Sequence, residues 1–186
     1  MALRLKTRFR TKGPKTIEDR ASVVAFNLWK IAQEATLRME KEGFRFASDV
    51  QIAAVMTELI AFLVQVADRI VHGQLSEPDR GRFIGALGRR LADTMQSNLS
   101  DTLGRDDHAG RFIAALNARG ADYAECEYGA RGPGYAFLRV LGEKVHAAMA
   151  GGDNKWAVEH VMEIAAPEAV RLAKKLVGEV LGVKVA

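Results

Sequence analysis

The sequence holds a single cysteine, Cys126, so no intramolecular disulfide can form and no oxidising compartment is implied. Prolines number four and aromatics make up 7%, and no internal repeat or low-complexity tract is present. Long apolar runs are missing too. The most apolar stretch, 52–67, is interrupted by Glu58 and Gln65 and is short for a bilayer span. A secretory leader needs an apolar core near the N-terminus, which Arg4, Lys6, Arg8 and Arg10 break up. A cytoplasmic location is the expectation.

Acids are absent from residues 1–15, which carry Arg4, Lys6, Arg8, Arg10, Lys12 and Lys15. That segment is worth +6 against a whole-chain charge of +4, which leaves residues 16–186 at −2. The basic character therefore belongs to an arm, and the body is mildly acidic. With 48% apolar and 27% charged residues, the body has the composition of an ordinary globular protein.

The arm alternates, with Leu3, Leu5, Thr7 and Phe9 on one side and Arg4, Lys6, Arg8 and Arg10 on the other. This is the two-residue period of a strand, stopped by Gly13-Pro14. Its apolar side suits docking on a neighbouring subunit or on the body, and its basic side suits phosphates. A mobile tail is the third reading.

Helix signals follow in order. Thr16, Ser48 and Ser76 each begin a capping-box pattern, and Gly43, Gly73 and Gly104 stand where the three helices should end. The second helix is apolar on nearly every side, so it should be central. Its exceptions Gln51, Glu58, Gln65 and His72 recur every seven residues and form one stripe. We expect this stripe to be the helix's strip of solvent contact; the alternative is a buried polar seam in which Glu58 and Gln65 need partners. After Gly104 the elements shorten: a helix capped by Asp107 and closed by Gly120, a turn or two of helix over 122–128, and a loop over 129–134. A helix over 135–150 follows, then one capped by Asp153, and a last one opened by Pro167 and ended by Gly182.

Several side-chain groupings carry possible chemistry. Tyr123, Tyr128, Tyr135 and Cys126 fall within 120–135, beside Gly129, Arg131, Gly132 and Gly134. A glycine loop entering a helix presents N–H groups to an anion, with Arg131 as bidentate donor and Tyr128 and Tyr135 beside it. The plainer alternative is a connector whose tyrosines finish the core edge, since the phosphate-loop lysine is missing. Glu125 and Glu127 flank Cys126 and suppress its reactive thiolate, so an inert thiol is expected. Glu143 and His146 form a Glu-x-x-His pair, with Glu159, His160 and Glu163 on the next helix and Glu34 and Glu58 on the long ones. A carboxylate-rich metal site in a bundle draws such a pair from each of two helices, and only one exists here. A solvated face accounts for these residues as simply. Arg80, Arg82, Arg89 and Arg90 interleave with Glu77, Asp79 and Asp93, which reads as a solvated face or an ion-pair seam rather than a groove reader.

The expected fold is all-α: three long antiparallel helices running up-down-up, about four shorter helices packed on them, and a short β-like arm. Residues 1–15 form the arm, 16–104 the three-helix core, and 105–186 the shorter helices completing the same domain. The functional expectation is a non-enzymatic helical interaction protein, a homo-oligomer joined through its arm, with no cofactor and no membrane partner. The first alternative is a nucleic-acid binder using Arg4, Lys6, Arg8 and Arg10. The second is a small-ligand or metal-binding protein using the 129–135 loop or the Glu143/His146 pair.

Overall fold

A computed structural model of the chain describes residues 15–149 and 154–185. The alternating arm, Lys15 apart, and the expected cap Asp153 lie outside the described residues.

The chain is mostly helical, and its three longest helices are α1 (Ile17–Lys41), α2 (Asp49–Val71) and α3 (Glu77–Leu103). Each begins at the expected cap. Asp19 N–H donates to Thr16 Oγ1 at 3.1 Å while Thr16 N–H donates to Asp19 Oδ2 at 3.0 Å, a complete capping box. At α2 the box is shifted: Ser48 Oγ accepts from Gln51 N–H at 3.3 Å, but the Gln51 side chain accepts from Ala47 N–H instead. Ser76 caps α3, with Pro78 in the first turn where its missing N–H is no loss. Gly43, Gly73 and Gly104 follow the three helices with positive φ, a backbone state that only glycine enters cheaply.

α2 is the hub. It packs against α1 and α3 and also against α4 (His108–Ala124), α5 (Tyr135–Ala148) and α7 (Ala166–Leu181). By length and composition this 23-residue helix is apolar enough to cross a membrane, yet here neighbouring helices clothe it, and Leu59, Phe62, Leu63 and Val66 are fully buried. The stripe is not the solvent strip that was expected. α4 covers its middle: Glu58 is buried, Gln65 is half-buried beside Gly120, and only His72, past the helix end, is exposed.

Beyond α3 the expected boundaries change at three places. α4 runs through Gly120 to Ala124, so neither a stop at 120 nor a separate helix over 122–128 exists. Gly120 keeps a helical backbone inside α4 and sits beside Gln65 of α2, with room for a side-chain carbon at ordinary contact distance. Residues 128–133 are a minimal hairpin rather than a plain loop, with β1 (Tyr128–Gly129) antiparallel to β2 (Gly132–Pro133). Finally, Pro167 does not open a separate helix. α6 (Ala157–His160) passes through a π-helical turn (Val161–Ala165) directly into α7. Ala166 N–H reaches back five residues to Val161 O, and the wider turn carries the helix past a proline that has no N–H of its own.

Two glycines separate close packing from mere helix weakening. At Gly142 on α5 a Cβ would stand 3.0 Å from Val158 Cγ1 and 3.1 Å from Val158 O, whereas Gly81 on α3 faces open space. Gly142→Ala should cost about 1–3 kcal/mol through overpacking. Gly81→Ala should gain about 0.5–1 kcal/mol, because alanine loses less chain entropy in a helix. Urea unfolding of both variants against the parent protein measures the opposite signs.

Candidate functional site

A large opening lies where α4 leaves α2 and leans on α3. Gln96 of α3 holds the start of α4, its side chain donating to Asp106 O and accepting from Ala109 N–H, both at 2.9 Å. His108 Nε2 lies 2.9 Å from Gly104 O and closes the α3–α4 corner. Farther along, α4 is drawn onto α2 by Arg119. Between these two attachments a groove of about 460 Å³ remains. Small side chains of α2, Ala53 and Ala54, leave the room, and Met95, Leu99 and Phe112 make an apolar floor. Val50 and Leu103 stand at its edges with 59% and 39% of their surface exposed.

The inner wall ends in a charge network. Arg119 donates from Nε to Glu58 Oε2 at 2.5 Å and from Nη2 to Glu58 Oε1 at 2.8 Å, a two-pronged bond that answers the buried carboxylate. Its third nitrogen, Nη1, donates to Asp122 Oδ2 at 2.8 Å, and Lys144 of α5 meets the same oxygen at 3.1 Å. The Glu58 bond holds the Arg119 guanidinium above its usual range against the pull of burial. The Lys144 ammonium, and then Arg119, hold the Asp122 carboxyl below the usual carboxylate range. The polar seam thus exists, and it ties α2 to α4 and α5.

The 120–135 tyrosines divide. Tyr123 is fully buried and stacked on Phe137 at 4.5 Å, and Tyr128 meets the same ring edge-on at 5.9 Å. Burial raises both phenols, Tyr128 to about 12. Arg131 and Tyr135 are exposed, Tyr135 at 70%. Tyr128 thus turns to the core while Arg131 and Tyr135 face solvent, and the tyrosines nearest the core complete it. Cys126 is half-buried, its thiol 3.6 Å from Asp122 O.

No group of three or more His, Cys, Asp or Glu among the described residues is placed to hold a metal ion. Glu143 is exposed and bonded to Arg139 at 2.8 Å, and His146, Glu159 and Glu163 are exposed as well. Of the two glutamates on the long helices, Glu58 is taken by Arg119 and Glu34 stays on the surface of α1. Arg80 binds Asp68 and Glu77, and Arg82 binds Glu18 and Asp79, which makes the start of α3 the ion-paired face that was expected. Arg4, Lys6, Arg8 and Arg10 lie outside the described residues. Sequence reasoning missed the role of His160. Its ring turns inward against Phe44, and Nδ1 lies 3.1 Å from Glu42 Oε2. No local signal joins residues so far apart in the chain.

Arg119→Ala should destabilise the protein by about 3 kcal/mol, because it strands a buried carboxylate, while Glu58→Leu with Arg119→Met should recover most of that loss. Denaturant titration of the single and double variants decides it. Asp122 gives the pH sign. Its folded pKa lies below its unfolded value, so its contribution is present above the ordinary carboxylate range and lost as pH falls through the folded value. Asp122→Asn should accordingly flatten the acid limb of a Tm-against-pH curve. No known family model, curated protein or solved structure matches this chain, so its residues alone carry the functional argument.

Proposed function

We propose that the chain is a non-enzymatic helical interaction protein of the cytoplasm that self-associates, the 1–15 segment of one copy seating in the α2/α3/α4 groove of another. The observation that carries this reading is the groove itself: exposed Val50 and Leu103 beside an apolar floor. The floor of the groove is apolar while its walls include Thr57, Asp106, His108 and Arg111, and a concave site of that makeup suits a segment carrying both apolar and charged groups. Leu3, Leu5 and Phe9, spaced two residues apart or four, supply apolar contacts along one edge of an extended segment. The cations opposite them suit a body whose net charge is −2, and Asp49 lies at that end of the molecule, where Asp106 pairs with Arg111 and Asp107 caps α4.

Reach favours a second copy over the same chain. We infer an up-down-up order for α1, α2 and α3. Two ion pairs support it: Glu18 with Arg82 joins the starts of α1 and α3, and Asp68 with Arg80 joins the end of α2 to the start of α3. Leu99, in the groove, is seventeen residues beyond Arg82, about 26 Å along the helix. Phe9 precedes Thr16 by seven residues, which extend to at most about 25 Å. A chain's own Phe9 falls short once it must also cross the bundle.

Light scattering tests the proposal. The full chain should have at least a dimer's mass, and a chain starting at Gly13 should be a monomer. Val50→Glu and Leu103→Glu, at exposed positions, should keep the helical circular dichroism signal and become monomeric. An unchanged mass on truncation defeats the proposal. If truncation instead removes only salt-sensitive retention on DNA, the arm is a phosphate binder.

A further inference from the structure

His108, the first residue of α4, exposes only 7% of its surface and lines the α2/α3/α4 groove. Its Nε2 lies 2.9 Å from Gly104 O. A carbonyl oxygen can only accept, so Nε2 carries the hydrogen of the neutral ring and Nδ1 is left with a lone pair. Nδ1 has no partner among the described residues, and it is not among the buried atoms closed off from solvent. The groove therefore holds one free acceptor on a side chain that is otherwise buried.

The plain explanation is that His108 is a corner piece, and its bond to Gly104 is one. That bond uses Nε2 alone, and Gln96 already holds the same corner through Asp106 O and Ala109 N–H. The neighbouring charges have partners of their own. Glu58 of α2, Asp106 just before α4 and Arg111 of α4 are the charged groups that line the groove with His108, and the lining residues of α3 carry no charge. Arg119 binds Glu58, while Asp106 is bound by Arg111 and by the Asp107 N–H at 2.8 Å. Asp107 caps Gly110 N–H. Asp106 is near enough to feel the ring's charge, but it shares that attraction with Arg111.

An occupant of the groove thus meets an acceptor when the ring is neutral and a positively charged donor when it is protonated. The 1–15 segment brings Arg4, Lys6, Arg8 and Arg10, backbone N–H groups and no acid. A neutral ring can take a hydrogen bond from any of those donors. A protonated one finds only carbonyl oxygens to meet, and it sets its charge against the segment's cations. We propose that His108 makes docking of the 1–15 segment acid-sensitive, its neutral ring accepting a hydrogen bond from the docked segment and its charged ring expelling it. This rests on the self-association reading and adds control of that contact by protons. Docking and protonation compete for one nitrogen, so each weakens the other. Histidine is the side chain whose charge ordinarily changes between about pH 5 and pH 8.

Sedimentation equilibrium of the full chain between about pH 8 and about pH 5.5, at fixed ionic strength, tests it. The dimer's dissociation constant should rise about tenfold toward the acid end, with helical circular dichroism retained. His108→Gln keeps an amide donor for Gly104 O and cannot titrate, so its dissociation constant should not depend on pH. His146→Gln, at an exposed position on α5, should keep the wild-type dependence. The proposal is overturned by a dissociation constant that stays level with pH in the full chain, a result that needs no variant. The same acid weakening in the His108→Gln protein overturns it too. A full chain that is monomeric at every pH removes the self-association reading itself, and this proposal with it.

Discussion

A helix surrounded on all sides has no water along its middle, so a carboxylate placed there must meet its counter-charge inside the protein. Glu58 is that carboxylate on α2, and Arg119 is the counter-charge. Much of the upper architecture follows from this need. α4 must lie across α2 at the level of Glu58. Asp122 then takes the remaining Arg119 donor and passes the connection to Lys144 on α5. Toward its own start α4 has no such obligation to α2 and follows Gln96 and His108 to α3 instead. The groove is the space between those two loyalties.

Whatever depended on neighbours within four residues was legible in the sequence. Thr16, Ser48 and Ser76 begin helices because their oxygens satisfy N–H groups three residues on, and Gly43, Gly73 and Gly104 follow helices because they lack a Cβ. The seven-residue spacing of Gln51, Glu58, Gln65 and His72 rightly placed them on one face. Spacing says nothing about what lies over that face, and the partner of Glu58 is 61 positions away. Gly120 misled for a related reason, since a glycine that ends a helix and one that lies inside it look identical in sequence.

The groove was harder to see. Ala53, Ala54, Leu99 and Leu103 each occupy an ordinary apolar helix position, and only the splay of α4 turns them into a groove.

The π-helical turn ahead of Pro167 lets one rod serve two masters. Ala157, Val161 and Ala165 are buried on the side that meets α5, whereas Ala166, Ala169, Val170, Ala173 and Val177 are buried against α1 and α2. An unbroken α-helix keeps a single phase, and its inward stripe could not change allegiance midway. One extra residue in the turn rotates everything downstream by about 100°, one residue's worth of helical twist. The turn thus works as a fixed gear between two interfaces, and it sets the face of α7 that lies along α1, where Arg38 meets Glu168 and Arg20 donates to Leu181 O.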